Sequence, residues 1–183
     1  GVLQHEGAAL TSERVRQLIS RFVLDHDCTT LHDSIVVTVP HVADCHHFGT
    51  GPLRKDLPVI VDIFPTHNHT HYCGDCTRTV VNGDVSDIVR DMHACVVRAN
   101  AAGCAALQPG TTGQAVHEAV AAVIREGGYS MGAPTSEKDE EWIGMRHGTG
   151  HGIGLDVHEP ILLATGGGEI LEREVFTLSL IHI

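Results

Sequence analysis

GMRHGTGHGIGLDVHEP, residues 144–160, is the stretch on which the reading of this chain turns. It packs three histidines, two carboxylates and five glycines into 17 residues. One histidine alone is ordinarily a surface or satisfied core residue. Three of them, His147, His151 and His158, set among glycines that let backbone approach closely, suggest a built site. Asp156 and Glu159 flank His158 and are placed to orient its ring.

Other site residues lie upstream. VIVDIF, residues 59–64, sets Asp62 in an apolar strand. An isolated buried charge is too costly, so such a carboxylate is paired, caps a strand end or binds a metal. Asp75 lies across a predicted hairpin, which brings such positions side by side. Two carboxylates side by side repel unless a divalent cation sits between them. A plain salt bridge from Arg78 to Asp75 is the alternative. Asp62, Asp75 and His151 together suggest a metal site, and mixed carboxylate and imidazole donors suit Mn, Co, Fe or Zn better than Ca.

The 183 residues, 42% apolar, suffice for one domain with a core. Twelve basic against 23 acidic residues give −11, which argues against nucleic acid or an anionic membrane as partner. No apolar run reaches the length of a membrane span. Cys28, Cys45, Cys73, Cys76, Cys95 and Cys104 form no regular framework, so they are expected to be reduced and the protein cytoplasmic. Cys73 and Cys76 make a formal C-x-x-C, a weak redox or zinc candidate without a second pair. THNHTH, residues 66–71, reads as a solvated hairpin tip. The first residue is Gly and no leader is visible, so the natural start is expected to lie elsewhere.

A capping box at Thr11 or Ser12 with Glu13, followed by Val15, Leu18, Ile19 and Phe22, predicts a helix of about four turns. SIVVTVP (34–40) and Val59–Phe64 predict strands, Pro65 ending the second, and DCTRTVVNG (75–83) is the returning strand. Long helices are predicted from Asp84 or Ser86 to about Leu107, and from Thr111 or Thr112 to Gly127. WIGMR (142–146) and GIGLDV (152–157) read as strand pieces, and REVFTL (173–178) as a last strand. The order predicts an α+β layer structure.

VDIFP (61–65), GDCTRTVVNG (74–83) and RHGTGHGIGLDVHEP (146–160) together resemble the pita-bread metallopeptidases, which include methionine aminopeptidase, prolidase and Xaa-Pro aminopeptidase. GTGPLRKDLPVIVDIFP (49–65) resembles the Xaa-Pro branch most. The resemblance runs from about Leu10 to Thr177. It implies a pita-bread fold, incomplete at the C-terminus, as a single catalytic domain over 1–183. It implies two divalent metal ions, Mn first, with Co, Zn or Fe as alternatives. The implied ligands are Asp62, Asp75 and His151. His158 takes the place of the histidine at the scissile carbonyl or its oxyanion. His147 matches a further active-site histidine, and His46 a pocket-lining one, with His47 as the less favoured match. The implied function is an exopeptidase that hydrolyses Xaa-Pro bonds with metal-activated water. Its partner is a peptide with proline second, and a homodimer is a candidate assembly.

The match departs at the end. The family continues VFT with a hydrophobic residue and then Glu-Pro-Gly, whereas this chain reads VFTLSLIHI (175–183). Ser179 occupies the Glu position, and a second Glu ligand falls beyond Ile183. LSLIHI is also the translation of CTG TCT CTT ATA CAC ATC, a sequencing-adapter end. Leu178–Ile183 is therefore expected to be foreign, the chain a fragment of an active parent, and the fragment inactive alone. Two readings compete: a non-catalytic peptide- or protein-binding module, favoured by Ser179, and a creatinase-like C–N hydrolase.

Overall fold

The computed structural model describes residues 1–44, 47–132 and 142–180. They pack as two compact units, residues 1–89 with 155–157, and residues 90–154 with 158 onward.

In the first unit, β1 (Gln4–His5) and β2 (Ala8–Ala9) form a small hairpin that the sequence patterns did not signal. Helix α1 (Ser12–Asp25) follows, its N-cap Thr11 accepting the Arg14 amide through Oγ1 at 3.2 Å. The expected capping box is not formed. Glu13 stands at the second helical position, not the third that a capping box uses, and its carboxylate accepts the Gly51 amide at 3.0 and 3.3 Å. Val15 and Ile19 turn inward onto Val36, Leu53 and Val59. Phe22, expected on that face, is 64% exposed and stacks on His26.

Three antiparallel strands complete this unit in the order β4 (Ile35–Thr38), β5 (Pro58–Ile63), β7 (Cys76–Val81). Between β5 and β7 the THNHTH tip is more than a solvated turn. Its base, β6 (Thr66–His67), pairs with β3 (Cys28–Thr29). The loop before β5 passes so close to β4 that a Cβ on Gly49 would sit 1.7 Å from the Val36 carbonyl oxygen. With φ at +81°, only glycine fits there.

The second unit is built on α2 (Asp87–Ala106, whose first three residues fall in the first unit) and α3 (Gly113–Glu126), capped by Thr112. Both helices match their predicted spans because caps and apolar periodicity agree. Cys95 and Ala99 of α2 pack on Val120 and Ile124 of α3, with Met145 and Leu180. A parallel pair, β8 (Ser130–Met131) and β9 (Gly144–Met145), is followed along the chain by an antiparallel pair, β10 (Gly150–Gly152) and β11 (Glu159–Leu163).

Two sequence expectations need correction here. In GIGLDV only Gly152 is in a strand, and the strand proper begins at Glu159, a start that Pro160 disguises. REVFTL forms no regular strand. It does lie extended beside β10, with Ile153 N donating to Val175 O (3.0 Å), Thr177 N to His151 O (2.8 Å) and Ser179 N to Thr149 O (3.0 Å). Leu180 is buried in the core and Leu178 packs near Val116 and Leu163, while residues 181–183 lie outside the described residues.

Candidate metal centre

The acidic residues belong to the first unit. Asp62 is near the end of β5, paired across the ladder with Thr77 of β7. Asp75 is two residues before Thr77, so the period-two pleat puts it on the face shared by Thr77 and Asp62. The two carboxylates are thus diagonal neighbours on one face. Both are half-buried, and the Thr77 hydroxyl donates a hydrogen bond to Asp62 Oδ1. That donor fixes one carboxylate oxygen and orients the other. Arg78, the alternative partner for Asp75, is exposed and donates to the Thr77 carbonyl at 2.7 Å.

The cysteines that flank Asp75 cannot bridge each other as the backbone stands. Cys73 pairs with Thr66 and Cys76 with Ile63, so the segment between them is extended. Three extended residues span ~10 Å, beyond the ~7 Å limit for Cα atoms joined by a disulfide. Cys73 Sγ instead lies 3.6 Å from Thr66 Oγ1 and 3.5 Å from the Leu155 carbonyl oxygen.

The histidines belong to the second unit. His151 is in β10, opposite Leu162 of β11. Its Nδ1 lies 2.9 Å from the Gly152 carbonyl oxygen. A carbonyl only accepts, so Nδ1 carries the proton and Nε2 carries the lone pair. That tautomer suits ligation of a metal through Nε2, with the other ring nitrogen held by a carbonyl. The His158 ring lies against it, centroids 4.1 Å apart, and is itself exposed. His147 has the same arrangement as His151, Nδ1 at 2.7 Å from the Gly148 carbonyl oxygen. Of the two intervening glycines, Gly150 is required by packing. A Cβ on Gly150 would sit 1.9 Å from the Thr177 carbonyl oxygen.

His46 lies outside the described residues. His47 serves the local backbone: it stacks on His41 with centroids 4.1 Å apart, and its Nδ1 accepts the Gly49 amide at 2.9 Å. Among the described residues, no three His, Cys, Asp or Glu side chains are gathered closely enough to hold one metal ion. The first unit offers two carboxylates on one face, and the second a pair of neighbouring imidazoles. Carboxylate and imidazole are each donor types that divalent transition ions accept.

Sequence reasoning missed Thr77, His117 and Thr149. Thr77 was open to detection, since it stands two residues from Asp75 and so shares its face. His117 carried no signal, being one polar position on an amphipathic helix. Its Nδ1 lies 2.8 Å from Thr149 Oγ1.

The model of metallopeptidase family M24 matches residues 3–181. The probable dipeptidase PepE of Mycobacterium tuberculosis is 35% identical over 138 residues, 75% of this chain and 33% of that protein. Xaa-Pro aminopeptidase 1 of Streptomyces coelicolor is 32% identical over 136 residues, 70% of this chain and 28% of that protein. Among solved structures, dipeptidase PepE from Mycobacterium ulcerans superposes with a TM-score of 0.77 at 30% identity, covering 93% of this chain and 43% of that one. The matched region spans about a third of the curated relatives' length and under half of that solved chain. The architecture is the pita-bread fold of these proteins.

Proposed function

This chain belongs to metallopeptidase family M24, and from that premise we propose that it carries the metal-binding part of an exopeptidase that cleaves Xaa-Pro peptide bonds. Asp62, Asp75 and His151 would hold two divalent ions, manganese first among the candidates. The chemistry such ions supply is a more acidic water and a polarised scissile carbonyl. Thr77 orients the Asp62 carboxylate as a ligand. His158, exposed beside the His151 ring, is placed to steady the negative charge that develops on the carbonyl oxygen. His147 is assigned to substrate contact, with His46 lining the pocket. The substrate class is a peptide with proline in second position, a reading supported by the likeness to the Streptomyces Xaa-Pro aminopeptidase. A homodimer in the cytoplasm is the assembly and setting this reading favours.

The observation that carries the proposal is the His151 ring, whose hydrogen bond to the Gly152 carbonyl leaves Nε2 as the donor a metal needs. Ser179 stands where the reaction calls for a carboxylate, so the proposal assigns activity to the longer protein and little to the 183 residues themselves. Ser179 is also what favours the second reading, a peptide-binding module without catalysis.

The test is manganese-dependent release of the first residue from a short peptide with proline second, by the full-length protein carrying this sequence. Release that disappears in Asp62→Asn supports the peptidase. Bound manganese with no release sinks it and leaves the binding module. Cleavage confined to an amidine C–N substrate would move the assignment to the creatinase-like class.

A further inference from the structure

Thr149 is the only side chain other than hydrogen between His147 and His151, since Gly148 and Gly150 flank it. Its residue is wholly buried. Its backbone is held at both ends: Thr149 N donates to Leu163 O at 2.7 Å, and Thr149 O accepts from Ser179 N at 3.0 Å. A buried hydroxyl needs a hydrogen-bond partner, and this one meets His117 Nδ1 at 2.8 Å. His117 is on α3 between Val116 and Val120, both fully buried, and that helix packs on β11. The ring is therefore delivered by a rigid element to the one side-chain handle in a glycine-rich segment. Glycine loses more conformational freedom on folding than any other residue, so such a segment needs an external anchor to hold one geometry.

We propose that His117 is a positioning residue: through Thr149 it sets the backbone that carries His147 and His151. The role rests on the metallopeptidase reading only in what the segment is for; the clamp itself is a statement about this chain. The ring is suited to it. Burial first, then the positive charge of Arg125, hold its pKa below the ordinary value of 6.5, with Glu118 opposing. That favours the neutral imidazole, which meets the Thr149 hydroxyl.

The test needs neither metal nor substrate. Amide hydrogen exchange is measured at Thr149 and Ser179, with the amides of α3 as internal reference, and the ring nitrogens of His147 and His151 are observed by NMR. His117→Asn keeps a polar atom close to the position of Nδ1, and Thr149→Ser keeps the hydroxyl; both are expected to exchange within about twofold of wild type. His117→Leu and Thr149→Val should each speed exchange at both amides about tenfold, and turn the single Nδ1–H tautomers into mixtures. The double variant should be no worse than either single one, because the two residues form one interaction. If His117→Leu does not fold, the Thr149→Val and Thr149→Ser pair with His117→Asn decides. Unchanged exchange and tautomers in Thr149→Val, or no rescue by His117→Asn, would overturn the proposal. A protein that lacks metal-dependent hydrolysis but shows this pattern would sink the peptidase reading and leave the clamp standing.

Discussion

Thr77 shows how much a single hydroxyl decides. It fixes Asp62 Oδ1 from the opposite strand, so under the proposed function the carboxylate would meet a metal with its orientation already set. Loss of such an outer partner ordinarily costs ~10–100-fold in metal affinity. Thr77→Val is expected to weaken manganese binding by about tenfold in a calorimetric titration while leaving the fold intact. Ser179→Glu should act in the opposite sense and tighten binding about tenfold, because it supplies the carboxylate this position has in the family resemblance. The candidate ligands stood out in the sequence for a chemical reason: an aspartate inside VIVDIF needs one, and three histidines among five glycines need another. His117 was not legible. A histidine at one turn of an amphipathic helix has no spacing partner, and only packing shows that it meets Thr149.

Elements with two independent signals were readable in advance. Helices α1 and α3 carry an N-cap threonine and an apolar periodicity, and both formed where those agreed. Strand β11 has Glu159 and Pro160 at its start, residues that argue against a strand, and tertiary pairing with β10 overrides them. The first turn of α1 also ties that helix to the loop before β5, because Glu13 accepts the Gly51 amide. Backbone hydrogen bonding, first at its own amide and then at Gly51, lowers the Glu13 pKa from 4.5. A carboxyl whose folded pKa is depressed stabilises fully above its unfolded value and loses that contribution as pH falls through the folded one. Glu13→Gln should therefore be less stable than wild type at pH 7, by roughly 1 kcal/mol for a lost charge-assisted hydrogen bond on a solvated helix end. The difference should vanish in strong acid, as read by urea denaturation at each pH. A difference that persists there would mean the carboxylate charge is not its source.

At the scale of the whole molecule, each unit has its own apolar centre. The cluster around Val36, Leu53 and Val59 backs the strand that carries Asp62. In the second unit Cys95, Ala99, Val120, Ile124, Met145 and Leu180 back the helix that reaches Thr149 through His117. Ile124 is fully buried, so Ile124→Ala is expected to cost about 3 kcal/mol through lost burial and a residual cavity, measured as a lower urea midpoint. The most direct measurement of the central claim is a manganese titration by calorimetry on wild type, Asp62→Asn and His151→Ala. If carboxylates and imidazole serve one metal centre, wild type binds and each single variant loses at least about tenfold in affinity. Wild-type binding retained in full by either variant would contradict it.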